Sequence, residues 1–163
     1  MGLEHFVERW TSSHYPPERV SLADLEAVEH HMRVRLPQDY RDAVLRTGLP
    51  RPTIALLNSI VDQDLDLHDV GDFYSPTEIL EQTTGWRDAG MPSQLIAFAS
   101  DSGGNMFCFD GERLRDGSSD RDAVWFFDHD FGTVDKLAPS FDAWIAQFCE
   151  VQPSPDSGPG SVR

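Results

Sequence analysis

Residues 95–110 read LIAFASDSGGNMFCFD. Two apolar runs, Leu95–Ser100 and Met106–Asp110, flank a Gly103-Gly104-Asn105 turn, and that arrangement suits a tight β-hairpin. A third run, Ala123–Asp128 (AVWFFD), reads as another strand. The second and third runs are apolar at consecutive positions, so both faces of each strand should be covered. Covered strands of this kind sit centrally in a sheet, with helices packed on it. Val134–Ala138 reads as a short edge strand, and Gly111–Asp122, polar and charged, as a surface loop.

Helices are expected on both sides of these strands. Leu3, Phe6, Val7 and Trp10 form one face of a short first helix. Pro16-Pro17 breaks the chain, and Ser21 caps a second helix with Leu22, Leu25, Val28 and Met32 along its stripe. Pro37 suits the first position of a third helix that buries Tyr40, Val44 and Leu45 and ends at Gly48. Ser75-Pro76-Thr77-Glu78 is a strong helix start, with Gly85 as the expected stop. Ser140 caps a last helix with Phe141, Trp144, Ile145 and Phe148 inside. Thr53–Ile60 is apolar and reads as a strand. The run Asp62-Gln63-Asp64-Leu65-Asp66-Leu67-His68, if it continues as one, sets Asp62, Asp64, Asp66 and His68 on one face and turns Leu65 and Leu67 to the core.

The 163 residues carry a net charge of −15, and −13 of it falls within residues 61–135. Direct contact with a phosphate backbone is therefore disfavoured, and a basic protein partner is favoured. A solvated acidic face that aids solubility is the plainer explanation of the same charge. Two cysteines, Cys108 and Cys149, make no disulfide framework and no CxxC metal site. Neither a signal peptide nor a membrane-spanning run is readable, so the expected location is the cytoplasm.

Motifs that carry chemistry are sparse. The Asp62-Asp64-Asp66 alternation starts like a calcium loop, but Leu67 stands where that loop needs glycine and Phe73 where it needs glutamate. Asp128-His129-Asp130, at the end of an apolar strand, is the densest polar cluster. Two carboxylates beside an imidazole could tune a base or hold a metal, with Asp101 as a fourth group, although neighbours in sequence point apart. The Ser100–Asn105 loop lacks the lysine of a phosphate-binding loop, and Cys108 reads as an inert core thiol.

Four stretches, taken in order, resemble the SUKH superfamily. Val34-Arg35-Leu36-Pro37-Gln38-Asp39-Tyr40 resembles its LPxDY joint between two helices, and Ile96–Asn105 its hairpin. Val124-Trp125-Phe126-Phe127-Asp128-His129-Asp130 resembles its V..fdHd strand, and Ser140-Phe141-Asp142-Ala143-Trp144-Ile145 its closing helix. The resemblance implies an α+β fold: a mostly antiparallel central sheet flanked by helices, in a single domain. Residues 21–152 then read as the SUKH-like domain, preceded by an N-terminal helix and linker over residues 1–20. Residues 153–163, rich in Pro, Gly and Ser, read as a disordered tail dispensable for folding. The resemblance also implies a protein without enzymatic activity, catalytic residues, metal or cofactor. Bacterial members are mostly immunity proteins that neutralise a cognate toxin, often a nuclease, and fungal relatives regulate cell-wall assembly through protein contacts. The expected partner is a basic toxin domain. The expected contact residues are Asp62, Asp64, Asp66, Asp101, Asp128, His129 and Asp130. A regulatory scaffold, or a metal-dependent enzyme built on Asp128-His129-Asp130, is the alternative.

Overall fold

The computed structural model describes residues 2–154. Its elements run α1 (Gly2–Trp10), α2 (Leu22–Met32), α3 (Gln38–Thr47), α4 (Ala55–Asp62), β1 (Asp72–Phe73) and α5 (Pro76–Asp88). They continue β2 (Leu95–Ser100), β3 (Met106–Asp110), α6 (Gly111–Asp116), β4 (Val124–Asp128), β5 (Thr133–Ala138) and α7 (Phe141–Cys149). The five strands pair in sequence order, each antiparallel to its neighbour. The result is one α+β domain around an antiparallel sheet.

Each face of the sheet is filled by a different set of side chains. In β2 a bulge between Ala97 and Ala99 adds one residue, Phe98, whose ring stacks on Phe109 with centroids 4.1 Å apart. Tyr40 of α3 and Phe141 and Trp144 of α7 close over that pair edge-on. Phe107 and Phe126, cross-strand partners, extend the cluster to Trp144. On the opposite face Cys108 pairs with Trp125, and Met106 with Phe127, which meets Trp86 of α5. Thr83 of α5 also completes the sheet edge: its hydroxyl accepts from the Ala97 N–H at 3.0 Å, where the two-residue β1 no longer reaches. Burial pushes the Cys108 thiol far up, as an inert core cysteine requires.

The caps follow the sequence. Ser21, Ser75 and Ser140 each accept the N–H three residues on, and Ser75 with Glu78 forms a complete capping box. Gly48 (φ +91) is a site where glycine is required, because a Cβ there would sit 2.7 Å from the Glu18 carbonyl oxygen.

Several expectations are corrected. Thr53–Ile60 is not a strand: Ala55, Leu56, Ser59 and Ile60 are buried at helical spacing in α4, and Thr53 accepts the Ala55 N–H at its start. Asp62 therefore ends a helix, Asp64 is left-handed (φ +52), and Leu65 is 38% exposed instead of in the core. The surface loop after β3 opens with α6, capped by Asp110. Helix α5 runs three residues past Gly85, and Pro37 is the N-cap of α3 instead of its first helical residue. Ser154, inside the stretch read as a tail, is buried, its N–H donating to Ser59 Oγ and its hydroxyl to Asp62. The rest of that stretch, 155–163, lies outside the described residues.

Candidate functional site

In an antiparallel meander the β2–β3 and β4–β5 turns emerge at the same end of the sheet. Hydrogen bonds tie them together here. The Asp101 carboxylate accepts the N–H groups of Gly103 and Asn105 and the Asn105 side-chain amide. The Asn105 side-chain oxygen accepts from His129 twice, from the backbone N–H at 3.1 Å and from Nδ1 at 2.7 Å. That oxygen is only an acceptor, so the His129 ring carries its proton on Nδ1. Asp128 folds its own turn, with Oδ1 accepting from the N–H groups of Asp130 and Phe131. Gly132 (φ +68) closes the loop. The loop leading into β1 docks on the same end through Asp69, which accepts the Ser102 N–H and hydroxyl.

Four of the residues singled out in the sequence thus converge: Asp101, Asp128, His129 and Asp130. Their roles differ. Asp101 and Asp128 hold their own turns rigid, and His129 is fixed by Asn105 beside the Trp86 ring. Asp130 points outward with its side chain 71% exposed, 3.3 Å from His129 Nε2. Next to it stands Phe131, 81% exposed, the most exposed of the large apolar side chains among the described residues. An aromatic between Asp130 and Gly132, where turn residues are due, was the signal in the sequence for this position. Asn105 and Asp69 were missed as well, because their roles depend on contacts 24 and 33 residues away.

Asp62, Asp64 and Asp66 do not join this cluster. All three are exposed around the end of α4, where Asp62 holds Ser154 and Asp66 lines a small cleft with Leu137, Trp144 and Gln147. Strand alternation does not align them, since the chain there is a helix end and a turn. His68 leaves the acidic run to stack on Phe126, with centroids 3.9 Å apart. Among the described residues no three His, Cys, Asp or Glu side chains are grouped to hold a metal ion, and no helix is long and apolar enough to cross a membrane.

No curated protein matches the chain. A solved structure described as "Crystal structure of protein from Pseudomonas syringae pv. tomato" is similar, with a TM-score of 0.54 at 17% identity, covering 89% of this chain and 93% of that chain. At that identity the likeness is one of fold. The model of the SMI1 / KNR4 family (SUKH-1) matches residues 19–147, four-fifths of the chain and all five strands, and the protein belongs to that family.

Proposed function

We propose that the protein is a non-enzymatic binding protein of the immunity type, which neutralises a basic toxin domain by covering it with the acidic hairpin end of its sheet. The observation that carries this reading is the pairing of an exposed aromatic, Phe131, with the outward carboxylate of Asp130 on a turn that Asp128 and Gly132 hold rigid. Aromatic side chains, Phe among them, are enriched at protein interfaces, where polar groups form the rim around them. The acidic middle of the chain supplies the steering field for a basic partner such as a nuclease domain, and its carboxylates stand in for substrate phosphates. Family membership supports a protein partner. Catalysis is the weaker reading, because Asp101 and Asp128 are engaged by backbone N–H groups and His129 Nδ1 by Asn105, which leaves one imidazole edge and one carboxylate outward.

The test is co-expression with the product of the gene directly upstream, followed by binding and growth rescue. Asp130→Lys with Phe131→Ala should weaken the complex about 100-fold and abolish rescue. Reversing Asp88 and Asp116, exposed acids away from the hairpin end, should cost less than about threefold. Asp120 is unsuited as a control, since it holds Arg113 at 2.7 Å. Association should also slow steeply with salt. A toxin bound equally by both variants would overturn the site. An upstream product that neither binds nor harms the cell would favour the regulatory scaffold.

A further inference from the structure

At the end of the sheet opposite the acidic turns, β3 runs into α6 and the chain lies against the C-terminal end of α2. There Arg33, Arg35 and Arg115, with His30 and His31, line an open groove of about 790 Å³. This is an unexpected concentration of cations in a chain with 28 acids and 13 bases. Glu29, the groove's one carboxylate, is already engaged by Arg41 at 3.2 Å and by the Leu36 N–H. Among the described residues none of the three groove arginines has a carboxylate within ion-pair distance. Arg115 reaches only the Met32 carbonyl, and Arg87 beneath it only Met32 Sδ and the Leu95 carbonyl. Burial and the Arg115 charge hold the Arg87 guanidinium below the usual arginine range, as expected where cations crowd without counter-charge.

Backbone conformation points the same way. Arg33 is the C-cap of α2 in the left-handed region (φ +56, ψ +44), a position that glycine normally fills. An arginine held there costs stability, and its exposed guanidinium makes no ion pair within the domain in return.

We propose that this groove binds an acidic peptide segment of a protein partner, whose carboxylates pair with Arg33, Arg35 and Arg115. Planar guanidinium forks match carboxylates. The groove lies open between α2 and α6 and so admits an extended chain. The net −15 of the whole chain repels a polynucleotide from a distance, whereas a short acidic stretch carries little charge to repel. The proposal is independent of the toxin reading, which uses the opposite end of the sheet.

A labelled peptide of consecutive glutamates, titrated by fluorescence anisotropy at low ionic strength, tests it. Binding should saturate, and a glutamine peptide of equal length should bind at least about tenfold more weakly. The double variant Arg33→Gly, Arg35→Gln should remove that preference while Tm holds or rises, since glycine relieves the left-handed cap. Leu65→Ala, a charge-neutral change at an exposed residue outside the groove, should leave peptide binding unchanged. Equal binding by the arginine variant, or tighter binding of inorganic phosphate or a single-stranded oligonucleotide, would overturn the proposal. So would the absence of saturation.

Discussion

Strands β3 and β5 belong to the same antiparallel sheet and are nearly the same length, yet all five residues of β3 are buried and the first four of β5 are exposed. The difference lies in what each face carries. β3 offers Phe107 and Phe109 to α3 and α7 and Met106 and Cys108 to the other face, so water is excluded from both sides. β5 alternates Val134 and Lys136 on one face with Thr133 and Asp135 on the other, and neither face can be buried without stranding a charge. One strand therefore holds the domain together, and the other is free to border a binding surface.

The largest expected effect tests this contrast directly. Phe107→Ala removes a ring that meets both Phe126 and Trp144 and should cost about 3–5 kcal/mol in chemical denaturation. Val134→Ala in β5 should stay within about 0.5 kcal/mol. Similar losses for the two would erase the distinction between the strands.

Strand β4 lies between them and should split by face. Phe126, under the stacked His68 ring and against Phe107, should behave like a β3 residue, with Phe126→Ala costing about 3–5 kcal/mol. Trp125 is half-buried, covered by the Arg113 guanidinium 4.8 Å from its ring, and its indole N–H has no partner. Trp125→Ala should cost less, about 1–2 kcal/mol, because part of its surface remains exposed whereas Phe126 is buried.

The other edge of the sheet, β1, sharpens the comparison through pH. Partial desolvation at the strand edge, and then the charges of Glu78 and Glu18, push the Asp72 carboxyl up from 3.8 to about 6. The folded state then holds that proton more tightly than the unfolded chain, so ionising it costs stability. The penalty is absent below about pH 4 and complete above about pH 6. Asp72→Asn should raise Tm at neutral pH by a small amount, and the gain should vanish on acidification to pH 4 in a thermal-denaturation series. A gain that persists at pH 4 would point to packing instead of charge.

The same contrast explains what was legible in the sequence. Consecutive apolar residues located β3 and β4, and serine caps located α2, α5 and α7, because those signals are local. The family pattern supplied the antiparallel sheet. Thr53–Ile60 misled, since eight residues rich in Leu and Ile suit either a buried strand or a helix, and only the burial of Ser59 beside Ile60 reveals the helical face. β1 escaped notice because two residues carry no periodicity. At the acidic end the charges were visible, but not their division of labour. Asp101 and Asp128 hold turns, whereas Asp130 and Phe131 face outward, and that depends on Asn105 bridging two hairpins.

The smallest expected change in stability concerns the outer edge of β5, which no further strand covers among the described residues. An uncovered edge invites pairing with another chain, and charges on both faces are a common protection. Asp135 and Lys136 supply one charge to each face. Lys136→Val should leave the unfolding free energy within about 0.5 kcal/mol, since the lysine is exposed and valine suits a strand. It should nevertheless promote self-association, seen in sedimentation velocity as a concentration-dependent shift beyond that of the parent protein. The substitution makes the net charge more negative, which by itself opposes association, so any added self-association would come from the edge and not from lost repulsion. Unaltered sedimentation at high concentration would mean that the twist of β5 or Asp135 alone protects it. The contrast with β3 would then rest on burial and owe nothing to Lys136.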